Sequence, residues 1–226
     1  SYSAWVPGHT GGESEIVIGR WLKASGKRAR VVIATKVGMS PARMGIRRRN
    51  IIAAAEDSLT RLQTDVIDLY QLHRDDEATP PDEYLDALDA LVMAGKVRAV
   101  GASNFGAGRL AEAMAASAGR GLPRFASLQP EYHLLARGIE DDLMPLCVAD
   151  SVSLIPFSGL ASGYLTGNYR TRDDKTKSPR GARRDKEMDG KGPEVHAALD
   201  ALCQLLEARG EPVDLRVGEP RVRLAD

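Results

Sequence analysis

One pattern repeats along this chain: a short apolar run, a longer segment with apolar residues at helical spacing, then another short apolar run. "RVVIATKVG" reads as a strand, "IRRRNIIAAAEDSLTRL" as a helix and "DVIDLYQLH" as the next strand. The helix "DEYLDALDALVMAG" follows, opened by Pro80 and Pro81 and stopped at Gly95. The alternation continues through strand "KVRAVGAS", helix "GAGRLAEAMAAS", strand "RFASLQ", helix "EDDLMPLCVA", strand "VSLIPFS" and helix "PEVHAALDALCQLLEARG". Each helix is long enough to cross back over a sheet, so the strands should run parallel. Five such units in a row favour an α/β fold of the (β/α) barrel type over separate domains. The expected adjacent strands are residues 31–36, 66–72, 97–102, 125–129 and 152–157.

Composition narrows the function. The 226 residues are 43% hydrophobic and can bury a large core, and one domain of that size is ordinary for an α/β barrel. Because 31 basic side chains balance 31 acidic ones, no global field draws nucleic acid or an anionic membrane. Aromatic residues are few, which leaves no stacking platform for bases. Cys147 and Cys203 have neither metal-ligand spacing nor disulfide density, a pattern that suits a reducing cytoplasm. His9, His133 and His196 lack ligand-spaced partners and suggest no metal. No run approaches the roughly 18 apolar residues of a membrane span, and no signal-peptide pattern opens the sequence.

In a parallel α/β fold the chemistry gathers at the carboxyl ends of the strands. Lys36 ends the first strand, His73 the second, Ser103 and Asn104 the third, Gln129 the fourth, and Phe157 with Ser158 the fifth. Taken singly, His73 reads as a strand-end histidine bonded to a carbonyl, and Lys36 as a solvated loop residue. Together on adjacent strand ends they would face one another across a barrel mouth, and the bland readings weaken.

Six segments, in order and at matching spacing, make this sequence resemble the aldo-keto reductase superfamily, in particular its bacterial small-aldehyde and aryl-alcohol branch. They are "SYSAWVPGHTGGESEIVIGRWLK", "IATKVG", "DVIDLYQLHRDD", "GKVRAVGASNF", "LQPEYHLLAR" and "LIPFSGLASGYLTGNY". The resemblance implies a (β/α)8 barrel of the TIM type and an NADPH-dependent reductase of small aldehydes or ketones. It implies Tyr2 as general acid, Lys36 as its electrostatic partner and His73 as the residue that orients the substrate carbonyl. Ser103, Asn104 and Gln129 match the residues that hold the nicotinamide carboxamide, and Phe157 the ring that stacks on it. Ser158, Leu160 and Ser162 fall in the loop that matches the pyrophosphate clasp, although "SGLASG" alone reads as a flexible loop.

Physical need points the same way. Reducing a carbonyl takes a hydride at carbon and a proton at oxygen, so the site needs an acid that stays protonated at neutral pH yet yields to a developing alkoxide. A tyrosine is protonated but sluggish, and a neighbouring ammonium makes it a readier donor. A histidine of fixed tautomer can donate a hydrogen bond to the same oxygen.

The remaining segments have plainer readings. Arg47, Arg48 and Arg49 open a helix and read as a solvated face. "RTRDDKTKSPRGARRDKEMDGKG" reads as a mobile loop, at the place where relatives carry one that closes over the cofactor. Both ends depart from the resemblance. The family's catalytic Asp would precede Ser1, and residues 211–226 match no family segment, so residues 1–210 read as a partial barrel with an atypical tail. A barrel open at that gap would expose strand edges, which leaves a homo-oligomer open. Two other classes therefore stand beside the reductase: an inactive remnant of the family and a nicotinamide-sensing binding subunit. The chain alone is expected to bind cofactor weakly.

Overall fold

Side chains that alternate between an apolar, helix-covered face and a more polar, buried face define the sheet that organises this protein. The computed structural model describes residues 4, 6, 8–167, 169–171, 173–174 and 192–209. These fall into two compact units, one within residues 1–130 and 139–155 and the other within 131–138 and 156–226.

The first unit contains helix α1 (Glu13–Ser25), strand β1 (Ala34–Val37), the small antiparallel pair β2 (Met39–Ser40) and β3 (Arg43–Met44), and helix α2 (Arg48–Leu62). Next come β4 (Ile67–Leu72), α3 (Pro81–Met93), β5 (Val97–Ser103), α4 (Ala107–Arg120), β6 (Phe125–Gln129), α5 (Leu143–Ala149) and β7 (Ser153–Leu154). The sheet runs β1-β4-β5-β6-β7, every pair parallel, as the strand-helix alternation predicts. This is the α/β architecture of a (β/α)8 barrel, of which the described residues supply five strands without closing the ring.

The helix-facing positions form the core. Tyr70, Leu72, Val100, Ala102 and Leu128 are buried with Ile51, Leu62, Tyr84, Leu88 and Leu110 of the covering helices. The rings of Tyr84, Phe105 and Phe125 meet at centroid separations of 5.8–6.4 Å, a range in which aromatic pairs attract beyond simple burial. The Tyr70 hydroxyl donates to the Ile51 carbonyl at 3.1 Å, which satisfies a phenol that burial keeps protonated. At the amino end of β4, buried Asp68 accepts from Arg28, Arg98 and the Ile33 N–H, so its charge is paired as well as hydrogen-bonded.

Helix α1 joins this layer through a close approach. A Cβ on Gly19 would stand 2.2 Å from the Arg61 carbonyl oxygen, so only glycine lets α1 lie against the end of α2. Beside it, Glu15 is buried and accepts from the Thr35 hydroxyl at 2.6 Å and from Arg61 Nε at 2.7 Å.

The elements depart from the sequence reading at several places: α1 has no counterpart in it, and the first strand runs Ala34–Val37 instead of 31–36. The fifth strand ends at Leu154 instead of Phe157, since Pro156 cannot donate to a ladder; Phe157 instead forms an isolated bridge with Glu131. The fifth helix starts at Leu143, where the Asp142 carboxylate accepts the Leu143 N–H, and Pro145 is tolerated because it lies in the first turn. The β2–β3 hairpin has no counterpart in the reading, being too short to show alternation.

The second unit contains a 3-10 segment (Ala161–Thr166) and helix α6 (Gly192–Ala208). Its apolar cluster is Ala161, Tyr164, Leu165 and Tyr169 with Val195 against it. The expected mobile loop and the 211–226 tail lie mostly or wholly outside the described residues.

Candidate active site

Parallel pairing fixes which side chains share a row. Lys36, Gln71, Gly101, Ser127 and Ser153 are successive partners across all five strands, and so stand on one face, the one opposite Tyr70 and Leu72. Gln71 Nε2 reaches Ser127 Oγ at 3.5 Å across β5, and a Cβ on Gly101 would stand 2.6 Å from that oxygen. Glycine at 101 is what lets two polar side chains meet over the strand between them. Two residues further along, on the same face, His73, Ser103 and Gln129 form the next row.

The side chains of this rim are held from below and from the side. The His73 N–H donates to the Val37 carbonyl at 2.9 Å, continuing the β1–β4 ladder one residue past the strand. Ser103 Oγ donates to the Gln129 carbonyl at 2.7 Å. Asn104 adopts φ 55°, a left-handed conformation that asparagine tolerates better than most residues. From there its Nδ2 donates to the His73 carbonyl at 2.9 Å and to Ser103 Oγ at 3.0 Å. The amide nitrogen is thus engaged within the protein, and Oδ1 is the atom Asn104 offers outward. The Gln129 side chain is half-buried beside it.

Charge at the rim is asymmetric. Lys36 is 8% exposed, and with Gly38, Ser40, Arg43 and the α2 residues Asp57 and Arg61 it lines a cleft of about 140 Å³. The His73 imidazole is held down at about 4, first by burial and then by the positive charges of Lys36 and Arg74. At neutral pH the ring is therefore uncharged, and one nitrogen donates while the other accepts.

Lys36, His73, Ser103, Asn104 and Gln129, read from the sequence as strand-end residues, come together at one rim of the first unit. Tyr2 lies outside the described residues. Phe157, Ser158, Leu160 and Ser162 belong to the second unit. There Phe157 is half-buried, and its carbonyl accepts from the Tyr132 N–H at 3.5 Å. The turn after it is tight: Ser158, Ala161 and Ser162 all have positive φ, at 57°, 48° and 55°. Its N–H groups at Ala161 and Gly163 are taken by the carbonyls of Ser158 and Leu160, and the hydroxyls of Ser158 and Ser162 stand 3.4 Å apart. Three non-glycine residues in this conformation store strain, which commonly marks a ligand-handling turn. Leu160 is exposed at the tip.

Sequence reasoning missed Glu15 and Arg109. Glu15 opens a helix where a solvated carboxylate is the default, and its partners Thr35 and Arg61 are 20 and 46 residues away. Arg109 follows the "ASNF" motif, but its bond to Asp75 spans 34 residues and leaves no local signal. Among the described residues no three His, Cys, Asp or Glu side chains gather as a metal site, and no helix is long and apolar enough to cross a membrane.

Comparison with known proteins agrees with the fold. The model of the aldo/keto reductase family matches residues 3–215. The chain is 32% identical over 190 residues to aldo-keto reductase YhdN of Bacillus subtilis, a match covering 77% of this chain and 56% of that protein. It is 37% identical over 186 residues to protein tas of Escherichia coli, covering 71% of this chain and 54% of that one. Among solved structures, the glycerol dehydrogenase AKR11B4 from Gluconobacter oxydans superposes with a TM-score of 0.71 at 32% identity, over 88% of this chain and 62% of its own. The chain therefore spans somewhat over half the length of these relatives.

Proposed function

The chain belongs to the aldo/keto reductase family, and from that premise we propose that its protein is an NADPH-dependent oxidoreductase that reduces small aldehydes or ketones to alcohols. The observation that carries this reading is the rim itself: Lys36, His73, Ser103 and Gln129 end four adjacent parallel strands on one face.

The residues present suit a nicotinamide. A carboxamide offers an NH2 that donates and a carbonyl oxygen that accepts. Asn104 Oδ1 can take its N–H, because the Asn104 nitrogen is already engaged with His73 and Ser103, and the Gln129 amide can meet either group. Phe157 offers a ring for stacking, and the turn carrying Ser158, Leu160 and Ser162 offers hydroxyl groups suited to phosphate oxygens. Reduced nicotinamide, when bound, supplies the hydride.

The chain's own side chains handle the oxygen. His73, neutral at working pH, donates a hydrogen bond to the carbonyl oxygen and sets its direction. Tyr2 delivers the proton to the same oxygen as negative charge develops there. Lys36, buried at the end of β1, favours the phenolate that this transfer leaves behind.

Replacing Tyr2 by Phe in the full-length protein removes the donor and leaves the cofactor contacts alone. Turnover of a small aldehyde, followed by NADPH absorbance, should fall about 10²–10⁴-fold while NADPH affinity stays unchanged. Near-normal turnover would refute Tyr2 as the acid, and parallel loss of cofactor binding would refute the division of roles.

A further inference from the structure

The loop that begins with His73 is braced from outside the sheet. Within it, Asp76 accepts the Ala78 N–H at 3.1 Å and the Thr79 hydroxyl at 2.7 Å, and Thr79 is fully buried. This folds residues 76–79 into a tight turn. The segment is then fastened to α4. Arg109 donates through Nε and Nη2 to the two carboxylate oxygens of Asp75, at 2.9 and 3.0 Å, and Nη2 also donates to the Thr79 carbonyl at 3.1 Å. The third arm of the guanidinium, Nη1, takes Glu112 at 2.7 Å.

Two features set this pair apart from a surface ion pair. The side chains of Arg109 and Asp75 are only 21% and 13% exposed, and the contact is bidentate, the geometry that confers direction as well as energy. Arg109 also occupies the first turn of α4, where a cation opposes the helix dipole. Helix stability alone does not favour arginine there; the loop beneath it does.

We propose that Arg109, acting through Asp75 and the Thr79 carbonyl, is the positioning residue that fixes where the His73 imidazole stands at the rim. The bracing is two-sided. Asn104 holds the His73 carbonyl from β5, and Arg109 holds the chain two and six residues further on from α4. With both in place the loop cannot swing away from the sheet, and His73 stays beside Lys36. With the clamp cut, the loop is held less firmly to α4, and water reaches the ring. The proposal deepens the reading of His73 as the group that orients the carbonyl, and rests on it for its functional meaning.

The test is an NMR titration of the His73 ring in the 226-residue chain, with His73→Gln to assign its signal among the four histidines. The variants are Arg109→Gln, Arg109→Lys and Asp75→Asn. Lys36 and Arg74 act on the ring with positive charge, while Asp75 lies two residues along the chain, held by Arg109. Through charge alone, losing Arg109 would raise the titration midpoint, losing Asp75 would lower it, and Arg109→Lys would leave it in place. Through position, all three variants release the loop, and all three should raise the midpoint by about one pH unit as the ring gains water. Arg109→Lys keeps the charge and the helix, so it also serves where a bolder variant unfolds. Opposite signs for the Arg109→Gln and Asp75→Asn variants, or an unmoved midpoint in Arg109→Lys, would overturn the proposal. In the full-length protein the same variants should lower kcat about tenfold with the KM for NADPH unchanged. If the ring moves and kcat does not, the positioning role stands and the reading of His73 as a carbonyl-orienting group fails.

Discussion

A partly buried imidazole beside an ammonium takes up a proton only in acid, and this couples His73 to stability. Its folded-state value near 4 lies below the ordinary 6.5, so between those limits the unfolded chain binds the extra proton and the folded chain does not. Stability is therefore fully present above pH 6.5 and declines as the pH falls through about 4. Allowing for the ring's partial exposure, the loss is on the order of 2 kcal/mol. Urea unfolding at pH 7 and pH 4.5, in the wild type and in His73→Gln, isolates this share from that of the carboxylates; equal pH dependence in both proteins would contradict it. His73 and Lys36 were legible as a pair because each directly ends an apolar strand, and the parallel topology puts strand ends on one rim. Glu15 and Arg109 were not, because a carboxylate or guanidinium in a helical first turn looks solvated until its partner on another element is known.

Strands and helices here owe their legibility to length. The four longer strands, β1, β4, β5 and β6, and the crossover helices α2, α3 and α4 carry enough apolar residues to show their period, and all appear within a few residues of where the spacing puts them. The two-residue strands β2, β3 and β7 have no period to show; tertiary pairing and Pro156 decide their limits. Close packing of elements is likewise silent in the sequence, and the helical glycines display the difference. Alanine normally stabilises a helix interior by up to about 1 kcal/mol relative to glycine. Gly119 in α4 has open space where a Cβ would stand, so Gly119→Ala should raise the midpoint of chemical unfolding. A Cβ on Gly19 in α1 would stand 2.2 Å from the Arg61 carbonyl oxygen, and Gly19→Ala should destabilise by about 1–3 kcal/mol despite its better propensity. If both substitutions shifted stability in the same direction, the close approach of α1 to α2 would be wrong.

At the scale of the whole molecule, the two compact units differ in what holds them. The first carries a continuous apolar cluster running from α1 through α5, beneath a five-stranded ladder. The second, among the described residues, has the four-residue cluster of Ala161, Tyr164, Leu165 and Tyr169 with Val195, and an Arg170–Asp200 pair whose side chains are 39% and 54% exposed. Exposed pairs add little to stability, and a small cluster removes little apolar surface from water. Local opening should therefore require less free energy in the second unit. Hydrogen exchange followed by mass spectrometry at neutral pH should find the amides of α6 and of residues 161–166 exchanging well before those of β4 and β5. The difference should narrow on adding NADPH to the full-length protein, because a ligand that touches Ser158 and Ser162 stabilises the closed form of that unit by mass action. Equal protection in both units without ligand would mean that they open together, and unchanged exchange at residues 158–166 in saturating NADPH would remove this turn from the proposed cofactor site.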